Sequence, residues 1–299
     1  MHRLPYDGTA RTFNEVLEFL SLCYRLDGRL QNWSVARLGN WRFGGNSKRL
    51  KSDPEFFNRN LHIWRDGDGI VGAVVADGGG VVTLLTHPHR RGIETEMLDW
   101  VEDEFEGPAD RCTVTCWNND TWLQALLRDR SYAYAESGGF NRKYDTHLSP
   151  HRSPLPDGFR MTTLEAYGDA EGYISAVSEA FGRATIDREW YDSNITAPCF
   201  SPRWVVLIES PDGHCASFCD VRIDRGAGYA EIDPIGTRPQ FQRKGLARAC
   251  IAECFRRLSE EGIRNAYIGS APEPAPSNKL YDSLRPVERY EEMVWERKR

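Results

Sequence analysis

Apolar residues along the chain alternate between two periods, and each change of period marks an element. In "FNEVLEFLSLCYRL" they recur at Val16, Leu17, Leu20 and Tyr24, the spacing of one helix face. "LHIWRDGDGIVGAVVADGGGVVTLLTHP" instead runs as three short apolar stretches parted by glycine-rich turns at 66–69 and 78–80, which predicts consecutive strands. A helix is predicted in "IETEMLDWVEDEF", a strand in "RCTVTCW", a helix in "DTWLQALLRDR" and a strand in "SYAYAE". The same order then returns. "AEGYISAVSEAF" has helix spacing, and "RWVVLIES", "HCASFCDVRID" and "GYAEIDPIGT" read as strands. "LARACIAECFRRLSEEG" is a long amphipathic helix stopped by Gly262, and "NAYIGSA", "SNKLYDSL" and "YEEMVWERK" follow as strand, helix and strand.

Between the two series lies "THLSPHRSPLPDGFRM", with three prolines and no apolar period, which predicts a linker. The expected division is therefore residues 1–148, a linker at 149–158, and residues 159–299. Two equivalent units of about 150 residues indicate an internal duplication. In each, strands precede a strand–helix–strand crossover, so the fold class expected is α/β with a mixed, mostly antiparallel sheet flanked by helices.

Composition narrows the function. Hydrophobic residues make up 40% and charged residues 27% of 299, as in an ordinary globular protein. A net charge of -6 argues against a duplex nucleic-acid partner. No stretch has the length of apolar chain that a membrane-spanning helix needs, and the opening residues do not read as a signal peptide, so a cytoplasmic protein is expected. Three cysteine pairs sit four positions apart: Cys112/Cys116, Cys215/Cys219 and Cys250/Cys254. Zinc sites use tighter spacing with further ligands nearby, so buried reduced thiols and no metal are expected. His87 and His89 lack acidic or cysteine neighbours at ligand spacing and read as a surface loop.

The chemistry concentrates in "YAEIDPIGTRPQFQRKGLARACI". In an extended strand Glu231, Asp233 and Ile235 share one face, and Pro234 withholds a ladder donor, which predicts a bulge. Gln242-x-x-Gly245-x-Ala247 then crosses into the long helix. The first amides of that helix have no internal partner and lie at the positive end of its dipole. Gly245 and Ala247 are small enough to admit phosphate oxygens, and Arg243 and Lys244 add positive charge. A solvated basic turn is the plainer alternative. A P-loop needs Gly-Lys followed by Ser or Thr, and Lys244-Gly245-Leu246 does not supply it.

"DPIGTRPQFQRKGLARACI" resembles the acetyl-CoA signature of the GCN5-related N-acetyltransferases (GNAT), and "PAPSNKLYDSLRPVERYEEMVWERK" is similar to that family's closing segment. Arg285-Pro286 stands where the family usually has Gly-Phe. The first half resembles the same family in degenerate form. In "LTHPHRRGIETEML", Pro88 and Gly92 are four positions apart where Pro239 and Gly245 are six, and Glu94 replaces the small residue. A carboxylate there would repel pyrophosphate, so that half is expected to bind the cofactor weakly or not at all.

The resemblance implies acetyl transfer from acetyl-CoA, without metal, to the amine of a small molecule such as an amino sugar, an antibiotic or an amino-acid-like compound. Protein or peptide acetylation and a non-catalytic acyl-CoA sensor are the alternatives. Ile235, Gly236, Thr237, Gln242, Arg243, Lys244, Gly245, Leu246, Ala247 and Asn278 are the implied cofactor contacts. With a lysine-like pKa of about 10.4, only about one amine in 2,500 is unprotonated near pH 7, so a base is needed. Glu231 and Asp233 are both candidates, with solvent-facing acids as the alternative. Tyr281 is implied as the proton donor to the departing thiolate, or is a packing aromatic, and Asn278 could equally cap its helix. Asp187, Glu189, Trp190 and Asp192 fall where the family builds its acceptor lip. A monomer or a homodimer would suit this chemistry.

Overall fold

The computed structural model describes residues 2–105, 110–150 and 152–298. After a short strand β1 (His2–Pro5), the first predicted helix forms as α1 (Ala10–Asp27). Its N-terminus is fixed by the Thr9 side chain, which accepts from Thr12 N, and it stops at Gly28 in the left-handed region. Short helices α2 (Val35–Gly39), α3 (Arg49–Ser52) and α4 (Phe56–Asn60) lead to β2 (Leu61–Asp66), β3 (Gly69–Ala76) and β4 (Val81–Thr86). Then come α5 (Ile93–Asp103), β5 (Arg111–Trp117), α6 (Thr121–Asp129) and β6 (Ala133–Asp145).

The later series begins with β7 (Arg160–Thr163), α7 (Leu164–Tyr167), α8 (Ala170–Phe181) and α9 (Arg188–Asn194). It continues through β8 (Val205–Glu209), β9 (Cys215–Asp224), β10 (Tyr229–Thr237) and α10 (Leu246–Glu260). It closes with β11 (Asn265–Ser270), α11 (Pro276–Asp282) and β12 (Glu288–Lys298).

The duplication is visible in the pairing. β1, β2, β3 and β4 form an antiparallel run, and β4 is parallel to β5. β7, β8, β9 and β10 repeat that run, and β10 is parallel to β11. In each half the parallel step follows the crossover helix, α5 or α10, as a right-handed strand–helix–strand unit requires.

The compact units differ from the expected halves at their borders. The first comprises residues 1–41, 49–140 and 290–299, and the second residues 42–48 and 141–289. β12 is therefore a strand of the first unit, antiparallel to β5 with Glu292 opposite Trp117. Strand pattern identifies β12 but carries no information about its partner. β6 runs well past the predicted "SYAYAE", and its residues from Asn141 onward belong to the second unit. Within the expected linker, His151 lies outside the described residues.

Each unit has its own core. In the first, Met97, Leu98 and Val101 of α5 pack on Val74, Val82, Leu84 and Val114. In the second, Leu246, Cys250, Phe255 and Leu258 of α10 pack on Ile208, Cys219, Val221, Ile232 and Ile268. Burial of each such side chain contributes about 1.5–3 kcal/mol. All three cysteine pairs are buried free thiols, and no metal-binding group of His, Cys, Asp and Glu occurs among the described residues. No helix there is long and apolar enough to cross a membrane.

Candidate active site

The bulge expected at Pro234 is present. Ile232 faces Val221 and Ile235 faces Cys219, so Asp233 and Pro234 together oppose a single residue, Asp220. The peptide between Asp233 and Pro234 is cis. The extra residue breaks the regular alternation assumed for Glu231, Asp233 and Ile235. Glu231 lies half-buried opposite Arg222, whereas Asp233 is exposed.

Beyond the bulge the strand is held tightly. Ser217 Oγ donates to the carbonyl of Gly236 at 2.8 Å and lies 2.9 Å from Thr237 Oγ1. A Cβ at Gly236 would come within 2.3 Å of the Phe218 ring, so that close approach requires glycine. Gln242 Nε2 donates to the carbonyl of Thr237 across the exposed turn.

The turn ends on two left-handed residues, Arg243 (φ 64) and Gly245 (φ 79), and Gly245 caps α10. No side chain caps this N-terminus, and nothing lies within 4 Å of the place where a Cβ of Gly245 would be. The first amides of a 15-residue helix are thus presented to open space. Of the four cations in this segment, two are committed within the protein: Arg238 pairs with Glu179, and Arg248 bonds Ser283. Arg243 and Lys244 are exposed beside the open amides, with the Lys244 ammonium 5.6 Å from the Phe159 ring centroid and 5.8 Å from that of Phe241. This arrangement fits a diphosphate.

The equivalent turn of the first unit is closed by its own side chain. Gly92 (φ 109) caps α5, but the fully buried Glu94 reaches back so that its Oε2 accepts from Gly92 N at 2.7 Å. Arg91 Nε lies 2.6 Å from Glu94 Oε1, and its guanidinium also bonds both carboxylate oxygens of Asp120. Helix dipole and loop cation are both matched internally.

Tyr281 is buried on α11, and its backbone carbonyl accepts from the Tyr144 hydroxyl at 2.9 Å. Burial, then the nearness of Cys219 and Asp233, pushes its hydroxyl above the usual tyrosine range, and the Arg142 cation acts the other way. Asn278 does not cap α11, whose cap is Ala275. Its side chain is buried, accepting from Arg142 and Ser270 and donating to the carbonyl of Ala271. Arg285 has φ 61, the left-handed conformation suited to the glycine that usually stands there in the family.

At the expected acceptor lip, Asp187 caps α9 by accepting from Trp190 N and pairs with Lys48 at 2.5 Å. Asp192 pairs with Arg188 at 2.8 Å. Two of the acids expected to attract a cation are thus already matched. Sequence reasoning passed over a charged cluster beside the bulge. Asp220 and Arg222 are buried and bonded at 2.6 Å, with Asn194 3.2 Å from Arg222 and Phe200 beneath the guanidinium. Burial pushes the Asp220 carboxyl up to about 6 against the pull of Arg222. The signal was there: two opposite charges two apart, on one face of an otherwise apolar strand, "SFCDVRI".

Residues 168–284 match the model of the Acetyltransferase (GNAT) family. The match lies wholly within the second unit, and the chain as a whole shares the fold of solved proteins of that family. It is 27% identical over 237 residues to a mycothiol acetyltransferase of Clavibacter michiganensis subsp. michiganensis, covering 72% of each chain. A mycothiol acetyltransferase of Kineococcus radiotolerans is 26% identical over 218 residues, 66% of this chain and 69% of the relative. A tandem GNAT protein from the clavulanic acid biosynthesis pathway has the same fold, with a TM-score of 0.64 at 15% identity over 99% of this chain and 98% of its own. So does a GCN5-related N-acetyltransferase from Sphaerobacter thermophilus, with a TM-score of 0.62 at 18% identity, covering 99% and 95%.

Proposed function

We propose that the second unit transfers the acetyl group of acetyl-CoA to the primary amine of a small polar molecule, while the first unit is structural. The observation that carries this reading is the open N-terminus of α10 directly after a bulged strand, in the unit that also holds Tyr281. The amides from Leu246 and Ala247 onward, with Arg243 and Lys244, would take the pyrophosphate, and the backbone of Ile235, Gly236 and Thr237 would run beside the pantetheine arm. Gln242 would brace the turn at its surface, and the buried Asn278 would brace α11.

The amine nitrogen attacks the thioester carbon, a C–N bond forms, and the C–S bond breaks. Asp233 or Glu231 accepts the proton the amine must lose, directly or through water, and Tyr281 gives a proton to the departing thiolate. The names of the curated relatives make a mycothiol-type thiol-cofactor precursor the first acceptor to try.

The test is thiol release from acetyl-CoA with a panel of amines. Tyr281→Phe should lower kcat by about a hundredfold with little change in the KM for acetyl-CoA. Whichever of Asp233→Asn and Glu231→Gln abolishes the acidic limb of the kcat/KM profile identifies the base. Unchanged kcat in Tyr281→Phe and in both acid variants would refute the reading.

A further inference from the structure

We infer that Arg142 is a positioning residue for the acetyl-transfer step: it fixes Tyr281 and supplies a positive charge that favours loss of the hydroxyl proton. This rests on the reading of Tyr281 as proton donor.

Arg142 lies on β6 and is completely buried. Its guanidinium is engaged on all sides. Nε donates to Asp282 Oδ1 at 2.5 Å, Nη1 to Ser270 Oγ at 2.8 Å, and Nη2 to Asn278 Oδ1 at 3.1 Å. Asn278 and Asp282 are four apart on α11, so one guanidinium spans a full turn of the helix that carries Tyr281. A seven-residue helix has little stability of its own and keeps its geometry only through such contacts. Two residues further along β6, on the same face, Tyr144 bonds the Tyr281 carbonyl. The two β6 side chains together fix both ends of α11 and the backbone at the tyrosine.

Position alone does not explain an arginine. Burying a guanidinium is costly unless it is well bonded; the Asp282 carboxylate is its ionic partner, whereas polar uncharged groups could have held Asn278 and Ser270. The charge has a chemical use. A thiol has a pKa of about 8.5 and an unperturbed tyrosine about 10, so proton transfer to the leaving thiolate is uphill before burial makes it worse. A cation near the ring stabilises the tyrosinate left behind, and the Arg142 guanidinium carbon is 5.9 Å from the Tyr281 ring centroid.

The test is a double-mutant cycle on thiol release, with Arg142→Gln, Tyr281→Phe and the double variant, and with acetyl-CoA affinity measured for each. Arg142→Gln should lower kcat by about tenfold to a hundredfold while the Kd for CoA stays within about threefold. In the Tyr281→Phe background the same substitution should cost less than about threefold, because the group it acts through is gone. Arg142→Lys, which keeps the charge but loses the three-way fork, should fall between wild type and Arg142→Gln, and it takes the place of Arg142→Gln in the cycle if that variant does not fold. Equal loss in both backgrounds, or wild-type kcat in Arg142→Gln, would overturn the assignment. A Tyr281→Phe variant with full activity would instead remove the reading on which it rests.

Discussion

Ala247→Glu would rebuild in the second unit the device that closes the first. Gly92-Ile93-Glu94 and Gly245-Leu246-Ala247 occupy the same three places: a left-handed glycine cap, then the first and second residues of the crossover helix. In the first unit the carboxylate at the third place bonds the cap amide at 2.7 Å. Transplanted to position 247, it would occupy the same amide and set a negative charge against the cofactor's own. Two like charges about 5 Å apart repel by about 3 kcal/mol at an effective dielectric of about 20, which is at least a hundredfold in affinity. Folding should not suffer, because an acid in the first turn favours the helix by about 0.3–1 kcal/mol. Calorimetric titration with CoA, beside a thermal melt, separates the two effects. A variant that keeps its melting temperature and binds CoA within about threefold of wild type refutes the assignment of the pyrophosphate to this helix.

Other expectations follow from single contacts. Glu94→Ala removes the buried partner of Arg91 and the cap of Gly92, and should destabilise the protein by about 1–3 kcal/mol in a denaturant titration. Gly236→Ala drives a methyl into Phe218 and should cost about 1–3 kcal/mol, read as a melting temperature several degrees lower; no change would mean that β9 yields freely. Asp220 has its folded pKa raised to about 6, so its contribution to stability is fully present below about pH 4 and is lost as pH rises through about 6. Asp220→Asn should remove that part of the pH dependence of the denaturant midpoint, and an unchanged slope would show that the carboxyl does not titrate there.

The long elements were legible because burial imposes a period on sequence. α1, α10 and the strands around the glycine turns fall where their apolar residues put them. Short helices escaped: α9 has one buried residue and α3 none, so neither leaves a stripe. At the site, the glycine cap and the bulge were readable from Gly245 and Pro234, because each residue restricts its own backbone. Arg142 and Tyr144 were not, since they belong by sequence to the earlier half and reach α11 only through the path of β6. The neutralisation of Asp187 by Lys48 was hidden for the same reason, as 139 positions separate them.

The placement of β12 bears on how the molecule is made. Synthesis delivers the first 140 residues early, yet the strand that pairs with β5 arrives only after the whole second unit. Until then the earlier unit waits on the ribosome with an unpaired sheet edge, exposed to mispairing and in need of protection. Removing residues 288–298 should therefore damage the unit translated first, so that a lesion at one end of the gene is felt in the product of the other.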